Sequence, residues 1–225
     1  MMASIPQPQQ RSIDIDLGGG TLLQAELSLP DNAEGLVLFA HGSGSGRFSP
    51  RNRQVACFFN DLGLATLLVD LLSAEEQVLD ERTRQLRFDI PLLAGRLVAV
   101  VDWLSQDAQL QELVIGLFGA STGAAAALIC AARRPHQLAA VVSRGGRTDL
   151  ADEVLDQVRT PTLLIVGGED HELLLLNRQS ARRLAGIQRL QVVRGASHLF
   201  EEPGKLLVVA ELAGEWFLRY LRRIP

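Results

Sequence analysis

The sequence LVIGLFGASTGAAAALICAA, residues 113–132, decides the fold of this chain. It carries no charge and is as long as a helix that crosses a bilayer. Its halves differ, however: residues 113–118 are β-branched and aromatic, as in a buried strand, whereas residues 121–132 are alanine-rich and favour a helix. We therefore predict a buried strand that turns sharply into a buried helix, and no membrane span.

Strands and helices of the same kind are predicted on both sides of this stretch. Unbroken apolar runs, typical of parallel strands covered on both faces, occupy residues 35–40, 65–70, 113–118, 139–143, 162–166 and 190–193. Helical periodicity or propensity marks residues 55–62, 90–104, 149–158 and 209–220, and two alternating segments joined by three glycines predict an antiparallel hairpin at residues 13–17 and 21–29. The pattern predicts an α/β fold with a doubly wound, mostly parallel sheet of about eight strands.

Length and composition limit the function. The 225 residues fit one α/β domain, which we place at residues 12–225 after a flexible tail at residues 1–11. A net charge of -4 argues against a nucleic-acid surface. The two cysteines match neither a disulfide framework nor a zinc spacing, so we expect a reduced, cytoplasmic compartment and no metal.

The turn between the predicted strand and helix carries the sequence Gly119-Ala120-Ser121-Thr122-Gly123. A serine hydroxyl is a useful nucleophile only when it is exposed and a base removes its proton. A tight strand-to-helix turn exposes it, and glycines two residues away on either side avoid clashes there. A glycine-rich turn without chemistry is the alternative, but this context favours Ser121 as a nucleophile.

A second glycine-rich loop, His41-Gly42-Ser43-Gly44-Ser45-Gly46, follows another predicted strand. Its backbone N–H groups can turn toward a developing negative charge, so we predict that the N–H groups of Ser43 and Thr122 form an oxyanion hole. The glycines match no phosphate-binding pattern. We take His41 as structural, holding the loop by hydrogen bonds.

Candidates for an acid and a base follow the last two predicted strands. Glu169 and Asp170 come after residues 162–166, and periodicity does not separate them; capping of the next helix is an equally good role for Asp170. His198 lies before the last helix and completes a set with Ser121 and Asp170. The order serine, acid, histidine is that expected of an α/β-hydrolase.

On these motifs the chain resembles the α/β-hydrolase superfamily over nearly its whole length, and within it the dienelactone hydrolase-like group. The resemblance implies Ser121 as nucleophile, His198 as base, Asp170 as orienting acid, and Ser43 and Thr122 as oxyanion donors. True dienelactone hydrolases have cysteine where this chain has Ser121. Cys57 and Cys130 fall within predicted helices and cannot replace it.

The segment after the predicted strand at residues 139–143 is too short for a sizeable lid, so we expect an open site and small or short-acyl substrates. Arg144 and Arg147 follow that strand, and either can bind a substrate carboxylate. In a chain this rich in arginine, surface ion pairs are the stronger alternative.

The sequence thus predicts a serine hydrolase that acts on carboxylic esters or lactones through an acyl-enzyme, without metal or cofactor. Transfer of the acyl group to another acceptor, or perhydrolysis, stays open because an acceptor leaves no motif. A non-catalytic binding protein of the same fold is a second alternative. The oligomeric state stays undetermined.

Overall fold

The computed structural model describes residues 9–222. Within that range the strands are β1 (Gln9–Asp16), β2 (Leu22–Leu29), β3 (Gly35–Ala40), β4 (Ala65–Val69), β5 (Val114–Ala120), β6 (Leu138–Arg144), β7 (Thr162–Gly167) and β8 (Gln188–Val193). The helices are α1 (Pro50–Asp61), α2 (Ala74–Thr83), α3 (Ile90–Leu104), α4 (Thr122–Arg133), α5 (His171–Ala181) and α6 (Lys205–Tyr220). Two 3₁₀ segments span Leu86–Phe88 and Thr148–Gln157.

All strands of this range join one sheet in the order β1-β2-β4-β3-β5-β6-β7-β8. The hairpin β1–β2 is antiparallel and attaches to β4 antiparallel, while β3 to β8 run parallel. This confirms the predicted α/β-hydrolase architecture, including the lack of a large lid after β6. The parallel strands bring their carboxyl ends to one edge, where such sheets bind ligands.

The first strand begins earlier than predicted. Gln9 pairs with Leu29, so residues 9–11, which we placed in the tail, belong to the sheet. The signal was weak because β1 is an edge strand whose first four residues are exposed on both faces. Residues 1–8 of the predicted tail lie outside the described residues.

The charged segment before α3 folds into α2, which the sequence analysis did not predict. Ser73 and Glu76 form a capping box, a signal that the sequence S-x-x-E offered. Apolar periodicity missed this helix because the one side chain it buries is Asp80. The helix predicted at residues 149–158 is also corrected: it is 3₁₀ in character and broken at Ala151.

Two apolar layers hold the sheet between the helices. One packs α3 and α4 against the sheet, and the other packs α1 and α6 on the opposite face. Helix α4 is buried throughout residues 122–131, which explains its uncharged sequence. Among residues 9–222, no helix has both the length and the apolar character needed to traverse a bilayer.

Candidate active site

Ser121 sits at the turn between β5 and α4 with φ 50° and ψ −119°. A positive φ is uncommon for a residue with a side chain and stores strain. The backbone around it holds this geometry: Ser121 N–H donates to Arg144 O at 3.1 Å, and its carbonyl accepts from the N–H groups of Ala124 and Arg147, each at 3.1 Å. The turn is thus fixed by both the helix it starts and the end of β6.

The two glycines of the turn are needed for space, as predicted. A Cβ on Gly119 would lie 2.5 Å from the Cα of Ala124, and one on Gly123 would lie 2.2 Å from the carbonyl oxygen of Ala40. Both obstacles are backbone atoms that cannot swing aside. A side chain at Gly119 would push α4 away from β5, and one at Gly123 would push α4 away from the end of β3. Either change would displace Ser121.

Asp170 and His198, the predicted acid and base, are joined by a hydrogen bond. His198 Nδ1 donates to Asp170 Oδ2 at 2.8 Å, which leaves Nε2 as the nitrogen able to take a proton. Asp170 also caps α5, because its Oδ1 accepts from Leu173 N–H at 3.4 Å. Both roles considered for Asp170 are therefore present in one carboxylate. Glu169 is exposed.

Gly145, which the sequence analysis missed, packs against the His198 ring. It follows β6 with φ +52°, and a Cβ there would lie 3.5 Å from Nδ1 of His198 and 3.2 Å from its carbonyl oxygen. The glycine that directly follows a predicted strand was the available signal in the sequence. Its contact with a histidine 53 residues later is tertiary, so no local pattern predicts it.

A cavity of about 350 Å³ brings most of the predicted residues together. Its walls are formed by Ser43, Phe88, Ser121, Thr122, Arg147, Asp170, Glu172, Leu173, Leu176 and His198. In the described geometry no hydrogen bond links the Ser121 hydroxyl to His198; catalytic hydrogen bonds are often long in unliganded enzymes and tighten around the substrate. A serine hydroxyl in the same cavity as a carboxylate-held imidazole is the set of groups that acyl transfer requires.

The loop after β3 carries Ser43, whose N–H is predicted to be an oxyanion donor. In the unliganded structure this N–H donates to the side-chain hydroxyl of Thr122 at 2.9 Å. The loop and the start of α4 are thereby tied together directly beside Ser121. Any oxyanion that uses this N–H has to displace the Thr122 hydroxyl.

His41 holds the loop, as predicted. Its Nδ1 donates to Gly42 O at 3.0 Å, and its Nε2 accepts from Leu71 N–H at 3.2 Å. Part of the residue stays accessible, but both ring nitrogens are engaged. Burial of the ring lowers the pKa of His41 below 6.5, despite the opposing effects of Gly42 O and Asp70. The neutral ring is therefore part of the structure.

The two predicted substrate-binding arginines are separated. Arg147 lines the cavity, but its guanidinium pairs with Asp149, with Nε–Oδ1 at 2.9 Å and Nη2–Oδ2 at 2.7 Å. This pairing raises the pKa of Arg147 and lowers that of Asp149. Arg144 is buried and is absent from the cavity walls; burial, with Arg51 nearby, lowers its pKa to about 10.

No family model matches the chain. The crystal structure of a dienelactone hydrolase from Anabaena variabilis is 54% identical and covers 96% of this chain and 100% of that one, with a TM-score of 0.95. The esterase domain of a Rhodothermus marinus protein covers 95% and 100%, with 19% identity and a TM-score of 0.74, a likeness of fold alone.

A curated relative from Mycobacterium tuberculosis is 49% identical over 215 residues, which are 95% of this chain and 48% of the relative. Its name is "Putative phosphoribosyl transferase". The chain thus spans about half the length of the curated relatives it matches.

Proposed function

This chain belongs to the dienelactone hydrolase family of α/β-hydrolases, and on that premise we propose that it is a serine hydrolase of carboxylic esters or lactones with small or short acyl groups. The observation that carries the proposal is the 2.8 Å hydrogen bond between His198 and Asp170 in the cavity that Ser121 also lines. The strained turn at Ser121 supports it, because such strain persists where function needs it.

The proposed reaction is a two-step acyl transfer. Nε2 of His198 takes the proton of the Ser121 hydroxyl while the oxygen attacks the ester carbonyl, and Asp170 stabilises the imidazolium that forms. Collapse of the tetrahedral intermediate expels the alcohol, which takes the proton from His198. Water, deprotonated by the same imidazole, then releases the acid from Ser121.

The oxyanion donors in this proposal are the N–H groups of Thr122 and Ser43. The Thr122 N–H lies at the start of α4, where the helix dipole also favours negative charge. The Ser43 N–H reaches the oxyanion by leaving the Thr122 hydroxyl, to which it donates in the unliganded protein. An oxyanion is the stronger acceptor of the two, so the exchange is favoured as charge develops.

The cavity walls support a small, uncharged acyl group. Phe88, Leu173 and Leu176 give it an apolar side, and its volume of about 350 Å³ is at the lower end of ligand pockets. For a substrate carboxylate, Arg147 is the arginine within reach. Because Asp149 already pairs with it, we expect Arg147→Ala to change the preference between neutral and carboxylate-bearing esters only slightly.

Other functions are weaker. Transfer to an acceptor other than water, or perhydrolysis, uses the same site and stays an alternative. The transferase name of the curated relative describes a protein about twice as long as this chain. The half that this chain shares with it is the half with the hydrolase fold, so we do not carry the name over.

The cytoplasmic location stays a prediction; Cys57 and Cys130 are both free thiols.

Labelling by a serine-directed fluorophosphonate tests the proposal, with Ser121→Ala as its control. We expect the parent to be labelled and the variant not, and the parent to hydrolyse members of a panel of short-chain esters, lactones, thioesters and amides. An unlabelled parent would favour the non-catalytic binding protein.

A further inference from the structure

The segment at residues 145–147, which follows β6, contacts two of the three proposed catalytic residues. A Cβ on Gly145 would lie 3.5 Å from Nδ1 of His198, so the glycine backbone packs against the imidazole. At the other end of the segment, the N–H of Arg147 donates to the carbonyl oxygen of Ser121 at 3.1 Å. The position of this segment therefore affects the nucleophile and the base together.

Asn177, a fully buried residue of α5, is hydrogen-bonded to this segment. Its Nδ2 donates to the carbonyl oxygen of Gly146 and to that of Leu173, each at 2.9 Å. Because both neighbours are acceptors, the amide atom between them has to be the nitrogen. Oδ1 has no hydrogen-bond partner among residues 9–222, so the polar role of Asn177 lies in these two donated bonds.

The helix that carries Asn177 begins beside the third proposed catalytic residue. Asp170 is the N-cap of α5, and its Oδ1 accepts from the N–H of Leu173 at 3.4 Å. The carbonyl oxygen of the same Leu173 is one of the two acceptors of Asn177. One amide group therefore joins the helix that starts at the acid to the segment that contacts the base and the nucleophile.

Gly146, the residue that Asn177 binds, is packed tightly on its other sides. A Cβ on Gly146 would lie 2.0 Å from Oγ of Ser143 and 2.6 Å from Cβ of Ala124, so β6 and α4 enclose it. Its buried carbonyl oxygen accepts from Asn177. A buried carbonyl that loses its donor is costly, so without the amide we expect the segment to shift toward another donor.

We propose that Asn177 is a positioning residue for the proposed reaction. It acts through residues 145–147 and keeps the His198 ring and the turn at Ser121 in the relation that proton transfer between them requires. The inference rests on the proposed function and adds to it a residue that does not line the cavity. Misplacement of reacting groups by a fraction of an ångström slows the chemical step, so kcat rather than KM should report the loss.

Asn177→Leu removes both donated bonds at similar side-chain size, and Asn60→Leu is its matched control. Asn60, on α1 and outside the cavity, also donates twice from Nδ2, to Leu64 O at 3.0 Å and to Thr66 Oγ1 at 3.1 Å. Urea denaturation should show both variants to be destabilised, because buried acceptors lose a donor. Only Asn177→Leu should lower kcat, by about tenfold with KM changed less than about twofold, on the short-chain ester that the parent hydrolyses fastest.

A double-variant cycle with Gly145→Ala tests whether the effect passes through residues 145–147. Both changes displace the same segment, so the loss of kcat in Asn177→Leu/Gly145→Ala should be smaller than the product of the two single losses by at least about twofold. Asn60→Leu lies apart from this segment and should leave the effect of Gly145→Ala unchanged.

A folded Asn177→Leu variant with the parent's kcat would overturn this inference. So would an equal loss of kcat in Asn60→Leu, or single losses that multiply fully in the double variant. If Asn177→Leu does not fold, Asn177→Ala removes the same donor without placing methyl groups against the two carbonyl oxygens, and Asn60→Ala becomes its control. Each of these results leaves the parent active and labelled, whereas failure of the proposed function appears as a parent that is unlabelled and hydrolyses no ester.

Discussion

Two glycine-rich turns in this chain use glycine for opposite reasons. In the β1–β2 hairpin, Gly18, Gly19 and Gly20 have φ of 77°, 61° and 82°, and a Cβ on any of them would meet nothing within 4 Å. In the turn before α4, by contrast, Gly119 and Gly123 avoid positive φ but have no room for a Cβ. The hairpin needs backbone that can adopt positive φ, whereas the turn before α4 needs close packing and places the strain on Ser121 itself.

Replacing the strained residue gives the largest expected effect. Ser121→Gly should lower kcat/KM at least about 10⁴-fold through loss of the nucleophile. It should also raise the free energy of unfolding by about 1 kcal/mol, since glycine tolerates φ 50°. Ester hydrolysis and urea denaturation measure the two effects. Ser121→Ala is the control, because it loses activity but keeps the Cβ and therefore the backbone strain. Equal free energies of unfolding for the two variants would show that Ser121 stores no strain.

Matched glycine-to-alanine changes separate the two turns directly. Gly123→Ala should cost about 3 kcal/mol of stability and at least tenfold in activity, because its Cβ meets the Ala40 carbonyl oxygen. Gly19→Ala should cost only about 1 kcal/mol, from its positive φ, and leave kcat/KM unchanged. Thermal unfolding and ester hydrolysis distinguish them. Similar losses of stability and of kcat/KM in both variants would show that the two turns use glycine for the same reason.

Gly145 combines both features, with a positive φ and a close neighbour. We expect Gly145→Ala to lower kcat about tenfold while KM changes little, because its Cβ would lie 3.2 Å from the His198 carbonyl oxygen and shift the backbone that carries the imidazole. The pH dependence of kcat should change as well, since the environment of the imidazole is altered. A variant that is destabilised but has the parent's kcat and pH profile would assign Gly145 a purely structural role.

Acid should weaken the loop that Gly123 packs against, through His41. Because burial lowers the pKa of His41 in the folded state, the unfolded chain takes up the proton more readily. Stability should therefore fall as the pH drops below 6.5, and level off once the pH lies below the folded-state value. Denaturation of the parent and of His41→Asn across pH 5 to 8 checks this. An equally steep fall in the variant would point to another group.

The smallest expected effect concerns the hydroxyl that meets Ser43. Thr122→Val removes this acceptor while keeping the side-chain shape, and the two proposed oxyanion donors are backbone N–H groups that survive the change. We therefore expect kcat/KM to change by less than about tenfold. Thr122→Ser, which retains the hydroxyl, is the control. A hundredfold loss in the valine variant alone would make the hydroxyl itself a donor to the oxyanion.

The sequence predicted what depends on local pattern and topology. Residues 113–132 predicted the strand, the turn and the helix, and the parallel sheet then placed Ser121, Asp170 and His198 at one edge. Local pattern did not predict contacts between distant segments. Phe88 lines the cavity at Ser121 because α2 and the following turn fold beside it. Periodicity overlooked α2 because that helix buries little apart from Asp80.

The arginines illustrate the same limit. Arg144 and Arg147 are equivalent in sequence, both following a strand at the catalytic edge. Only the folded chain shows that Arg147 lines the cavity and is paired with Asp149, whereas Arg144 is buried and does not line the cavity. Pairing of the Ser43 N–H with Thr122 is likewise a matter of side-chain rotamer, which no spacing rule contains.

The two bonds of Asp170 have an evolutionary consequence. Asparagine caps helices about as well as aspartate, so Asp170→Asn preserves the start of α5 while depriving His198 of a charged partner. Loss of catalysis at this position therefore costs the fold almost nothing. Descendants of this chain can become pseudoenzymes in a single base change, free to acquire a binding role on an intact scaffold, whereas a change at Gly123 would sacrifice scaffold and chemistry together.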